Sequence, residues 1–245
     1  MARLESDNTR GVFYPSKSEV KVNLTYLETA MRKTGVTADQ LMDEKNTDAL
    51  KKVTRYVAPT FVHEYDGHQK QTAWADSKNI PDHYYIGQET EAFSKGSLFV
   101  LQKAQAEQKK GNPYYSSQIA ESDVDKARTL KTEGMSGVGR SVMYYKVPTR
   151  EGVAAKTFAE YEDLKKELTL RQLAASKNPE EEARLDAARG YGKTTAELNK
   201  KYNAIYPWYK ESLKKSAEEA KYFQKAVKDL DGEEKDDFVM PGMGG

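Results

Sequence analysis

Apolar and polar residues alternate from Ser18 to Leu24, with Val20, Val22 and Leu24 on one side. Period two marks a half-buried strand. Gly11-Val-Phe-Tyr14 reads as a second strand, across a turn at Pro15-Ser16-Lys17. Beyond this hairpin the period lengthens to that of helices. Tyr26 to Lys33 is one, and Thr37-Ala-Asp-Gln40 opens another with a capping box. Thr47–Val57 predicts a helix, and Pro59 at a first helical position predicts a new one from Thr60 to about Ser77. After a break at Asn79-Ile-Pro-Asp82, a helix runs from about Gly87 to Lys109 and is closed by Gly111-Asn-Pro113.

The stretch 111–156 is the least regular, with Gly134, Gly137 and Gly139 in one run. It predicts a long loop or flap, some strand near Val142–Val147, and a candidate lid. From Thr157 the pattern turns charged and helical. Thr157…Glu160 and Thr194…Glu197 are capping boxes, and Asn178-Pro179-Glu180 joins an N-cap to a proline and an acidic first turn. Three or four helices are expected over 157–230, one starting near Pro207. The fold class is therefore α+β, mostly helical. A domain with a small sheet fills 1–150, a charged helical bundle or appendage 151–230, and a flexible tail 231–245.

Composition narrows the chemistry. Lys+Arg (39) and Asp+Glu (38) nearly cancel, for a net charge of +1, so no global field favours nucleic acid or an anionic membrane. No run approaches the ~20 apolar residues of a membrane span, and the start MARLESDNTR has no apolar signal core. The chain reads as cytoplasmic or exported by a signal-independent route. Cysteine is absent, so a metal site must be built from histidine and carboxylate.

All three histidines lie between positions 63 and 83, two of them in His63-Glu64-Tyr65-Asp66-Gly67-His68. A catalytic zinc takes three protein ligands and keeps a fourth position for water. Two imidazoles on one helical face, with a carboxylate beside the first, suit that need. In the common HExxH spacing, four steps leave the rings about 40° apart on a regular helix; HExxxH takes five and leaves them about 140° apart. One residue absorbed as a π-bulge realigns them, and Gly67 is expected to tolerate the distortion. For the third ligand, Glu89 shares a helical face with Ala92, Phe93, Gly96, Val100 and Ala104. An ionised carboxylate there is costly unless paired or metal-bound. Glu91 points away and is the second choice.

HExxxH followed by Glu89-Thr-Glu91-Ala92 resembles the core of gluzincin-type zinc metallopeptidases. The six-residue form is similar to that of the dipeptidyl peptidase III family, and the glutamate segment to that of CAAX-prenyl-protease-type and ImmA-type zincins. The strand pattern before the motif resembles that of small zincins, and the resemblance covers roughly residues 10–105. It implies a minimal zincin-like domain, Zn2+ held by His63, His68 and Glu89, and Glu64 as general base. The family's aspartate four residues after the glutamate is Phe93 here. Its task of orienting a ligand histidine is expected to pass to Asp66 or Asp76.

Other residues carry alternatives. His83 reads as a loop histidine, with a second reading as substrate contact or alternative ligand. Tyr84, Tyr85, Tyr144 and Tyr145 are packing residues that could also polarise a scissile carbonyl. Gly190-Tyr-Gly-Lys-Thr-Thr195 ends like a phosphate-binding loop, but Ala187 stands where its first glycine belongs, so a helix cap and turn is expected. The expected function is hydrolysis of a peptide bond in a peptide or protein substrate by a metal-activated water. The rival is a non-catalytic helical interaction or assembly protein with a structural or vestigial metal site, docking a protein partner through its C-terminal helices.

Overall fold

The computed structural model describes residues 9–80, 87–112, 115–143, 163–170 and 195–233. The fold is α+β and mostly helical. Strands β1 (Gly11–Tyr14) and β2 (Glu19–Val22) form an antiparallel hairpin with Phe13 opposite Val20. The turn ends at Ser18 in the left-handed region, φ 47°. Helix α1 (Leu24–Thr34) starts under the side-chain cap of Asn23 and stops at Gly35, φ 68°. The expected capping box closes on both sides in α2 (Ala38–Met42).

Helix α3 (Thr47–Val62) contains Pro59, where the sequence predicts a new start. A proline inside a helix removes one backbone bond. The ladder resumes at once, because the Pro59 carbonyl accepts from the His63 N–H. A π-helical turn over His63–Gln69 follows without interruption and runs into α4 (Lys70–Lys78), which Asn79 ends in the left-handed region. Helix α5 (Gln88–Lys109) holds the expected place.

The irregular stretch expected after it is instead helical. Helix α6 (Glu121–Met143) has a single non-helical residue, Gly134. On either side of it Ala127 and Leu130, then Met135, Val138 and Val142, are buried at helical spacing. Glycine supplies the break at no steric cost, and apolar periodicity resumes one residue later. Over 121–143 the segment is a packed wall and not the expected flap; the strand expected near Val142–Val147 lies mostly outside the described residues. Helix α7 covers 163–170. Helix α8 (Thr195–Glu233) contains Pro207, so no helix begins there. The other elements expected over 144–162, 171–194 and 234–245 lie outside the described residues.

Three buried apolar clusters are present among the described residues; the smallest joins Leu164 and Leu168 to Leu198, and the other two frame the site. Tyr26, Ala30, Val53 and Tyr56 join α1 to α3. Leu98, Leu101, Leu130, Val138, Phe223 and Val227 join α5, α6 and the end of α8. The π-helical turn lies between them, with β1 on one side and α5 on the other.

Candidate metal centre

The inserted residue of HExxxH is absorbed as the spacing requires, in a π-helical turn. The wider turn brings His63 and His68 to one side, with ring centroids 4.8 Å apart and planes nearly perpendicular at 84°. Their Nε2 atoms are 3.2 Å apart. Glu89, in the first turn of α5, faces both: Oε2 lies 3.4 Å from His63 Nε2 and Oε1 lies 3.4 Å from His68 Nε2. Tetrahedral donors about 2.0–2.2 Å from zinc stand roughly 3.3–3.6 Å from one another. The three groups match that spacing to within a few tenths of an ångström.

Gly67 acts by a different route from the one expected. Its backbone needs no special conformation; a Cβ there would lie 2.6 Å from Ala92 Cβ and 2.8 Å from Ala92 Cα. A missing side chain thus lets the turn touch α5 and carries Glu89 to the histidines. Gly96 has the same role further along α5, where a Cβ would meet the Pro59 carbonyl at 3.0 Å.

Glu64 spans the site and the hairpin, one carboxylate oxygen on each side. The Phe13 N–H donates to its Oε2 at 2.9 Å, while Oε1 lies 3.9 Å from His63 Nε2. Gly11 keeps β1 close, since a Cβ would lie 3.1 Å from Glu64 Cγ. His63, Glu64 and His68 are all buried and form a group whose donor atoms could hold a cation.

The electrostatics couple these groups. Burial alone would pull the His68 pKa down, but the Glu89 carboxylate, with Glu64 and Gln71, leaves it raised. Burial pushes Glu89 up, yet hydrogen bonds from His63 and His68 hold it far below the usual carboxylate range.

Gln71 is a member of the site that the motif does not announce. Its Oε1 is 3.0 Å from His68 Nδ1, and its Nε2 donates to the Gln88 carbonyl at 2.8 Å. The amide must present its oxygen to the ring, so Nδ1 carries a proton and Nε2 is the atom left for a cation. A glutamine 2% exposed, three residues after a motif histidine, is the signal that could have found it.

Two expectations need correcting. Glu91 is no spare ligand: it is wholly buried and paired with Lys95 at 3.1 Å and with Lys215 of α8 at 3.2 Å. Neither Asp66 nor Asp76 orients a histidine. Asp66 is bound to Lys70 on the outer side and Asp76 is exposed. Phe93 packs its ring 4.2 Å from that of His63. His83, Tyr84, Tyr85, Tyr144 and Tyr145, and the Gly190–Thr194 loop, lie outside the described residues. No described helix is long and apolar enough to cross a membrane. Comparison with protein-family models, with curated proteins and with solved structures returns no match.

Proposed function

We propose that the protein is a zinc-dependent hydrolase of peptide bonds, with His63, His68 and Glu89 as ligands and Glu64 as general base. The supporting observation is the mutual spacing of the three donors, 3.2–3.4 Å, in a buried turn of unusual geometry. The donor set is chemically apt: two imidazoles and one carboxylate are a catalytic zinc combination. A zinc ion held there supplies Lewis acidity toward water and a substrate carbonyl. Gln71 fixes the proton of His68 on Nδ1. Phe13 pins Glu64 Oε2 and leaves Oε1, on the His63 side, to take a proton from the attacking water. Glu64 then returns that proton to the leaving amine.

A second reading has one observation in its favour. Glu64 lies near enough to His63 to join the ligands, which would close the shell and make the metal structural. The chain would then be an assembly or interaction protein. Metal analysis and a peptide-library hydrolysis assay on the parent and Glu64→Gln separate the readings. Retained zinc with hydrolysis lost in the variant supports the hydrolase. A parent that holds zinc and cleaves nothing, with zinc lost on Glu64→Gln, supports the structural site. A parent without zinc affinity ends both.

A further inference from the structure

The ligand histidines are not equally supported. His68 has Gln71 behind it, whereas His63 Nδ1 is buried and has no hydrogen-bond partner. Once Nε2 of a neutral imidazole binds a cation, Nδ1 carries the proton, and a ligand histidine almost always gives it to a carboxylate, a carbonyl or water. A buried N–H left without an acceptor is destabilising.

One buried carboxylate of α6, the helix whose Lys126 covers the Phe93 ring, has an oxygen to offer. Asp123, in the first turn of α6, is buried at 8% exposure. Arg10 donates to its Oδ1 at 2.8 Å, while Oδ2 is buried and has no partner. Lys126, further along α6, sits over the Phe93 ring at 5.0 Å, and that ring packs on His63. Burial raises the Asp123 pKa, against the opposing charges of Arg10 and Lys126 and a smaller effect of His63.

We propose that Asp123 is the positioning residue for His63, accepting its Nδ1 proton on Oδ2, directly or through one water, when the site holds zinc. This rests on the proposed ligand set and deepens it. The carboxylate expected four residues after Glu89 is supplied from another helix, and Phe93 fixes the ring plane in its place. Arg10, held also by the Ser122 hydroxyl at 2.6 Å, keeps Asp123 in position.

The test compares Asp123→Ala, Asp123→Asn and Arg10→Gln with the parent. It reads zinc affinity by chelator competition and the low-field imidazole N–H resonance of His63 in the zinc-loaded protein. Asp123→Ala should bind zinc about 10–100-fold more weakly and lose the resonance to solvent exchange. Asp123→Asn keeps an acceptor oxygen and should restore some of both. Arg10→Gln loosens the carboxylate but keeps the acceptor, and should lose less of both than Asp123→Ala. Parent-like affinity and resonance in Asp123→Ala overturn the proposal while leaving the zinc site standing. Equal losses in Arg10→Gln reduce Asp123 to a structural ion pair and overturn it too. A parent that binds no zinc removes this inference and the proposed function together.

Discussion

Replacing Gly67 by alanine tests the packing that assembles the site. The new Cβ would lie 2.6 Å from Ala92 Cβ and 2.8 Å from Ala92 Cα. Carbon atoms pack at about 3.5–4.0 Å, so the shortfall is roughly 1 Å. No rotamer relieves it, because one of the opposing atoms is backbone, and α5 must move. Overpacking of this kind costs about 1–3 kcal/mol. The helix preference of alanine over glycine returns at most about 1 kcal/mol. The net expectation is destabilisation by about 1–2 kcal/mol. Glu89 lies three residues before Ala92 on α5 and moves with it. Metal ligands tolerate displacements of only about 0.2 Å, so zinc affinity should fall at least ~10-fold.

Urea unfolding of the metal-free protein and a chelator competition assay measure the two effects. Gly232→Ala is the control: nothing lies within 4 Å of its Cβ position, so it should be neutral or slightly stabilising. Gly67→Ala combined with Ala92→Gly removes the 2.6 Å contact but keeps the 2.8 Å one, and should recover only a fraction of the loss. Stability within about 0.5 kcal/mol of the parent, with undiminished zinc affinity, would refute the idea that this close approach sets the cage.

Glu89→Gln should abolish tight zinc binding and lower the raised His68 pKa, read by ring NMR, with a smaller loss of stability than Glu91→Gln. Glu91→Gln should leave zinc binding near that of the parent. It strips the buried partner from Lys95 and Lys215, a loss of about 3 kcal/mol, softened because Lys215 keeps Glu219 at 3.0 Å; equal effects of the two variants on zinc would contradict the separation of roles. Zinc binding near neutral pH should release a proton from His68, seen as buffer-dependent calorimetric heat, and affinity should climb with pH until the raised His68 pKa is passed. In the metal-free protein, the His68 contribution to stability is present below its ordinary value of 6.5 and lost as pH rises through the raised one; that of Glu89 is present above 4.5 and lost as pH falls toward its depressed value. Unfolding midpoints should therefore peak between 4.5 and 6.5, and a maximum elsewhere would show that other groups dominate. Tyr26, buried with its hydroxyl donating to the Tyr56 carbonyl at 3.2 Å, is pushed up to about 12, so its phenolate absorbance should appear well after that of exposed tyrosines; its stabilising share holds below 10.0 and fades as pH rises through about 12.

The sequence is legible where one residue type has one physical use. Alternation over Val20 and Val22, the Thr37 box and the five-residue histidine spacing all lead to elements that are present. It misleads where a residue has two uses. Glycines that suggest loop are one helix break and, at Gly139, a close approach to Thr90, whose hydroxyl would lie 3.1 Å from a Cβ there. Prolines that suggest helix starts lie inside α3 and α8. Glu91 does point away from the histidines, yet its burial depends on Lys215, more than a hundred residues away. Asp123 carries no local signal at all. Its ion pair with Arg10, more than a hundred residues away, exists only because of the packing of α6.

A charge argument ties the site to its environment. Two carboxylates and two imidazoles share a largely buried centre. With neutral rings the group carries two negative charges; with a proton on His68, one. A dication with neutral rings carries none, and uncompensated charge in such a place is expensive. The raised His68 and depressed Glu89 are the response of this centre: it favours a proton on the imidazole beside an ionised carboxylate. A bland core would solve the same problem by substituting apolar side chains. The chain instead keeps four polar ones, and supports two of them with Gln71 and the Phe13 N–H. It also leaves out the side chains at Gly11 and Gly67 that would push the walls apart. Keeping these four polar groups buried costs the protein stability that a bound cation would return, so under the proposed ligand set added zinc should raise the unfolding midpoint.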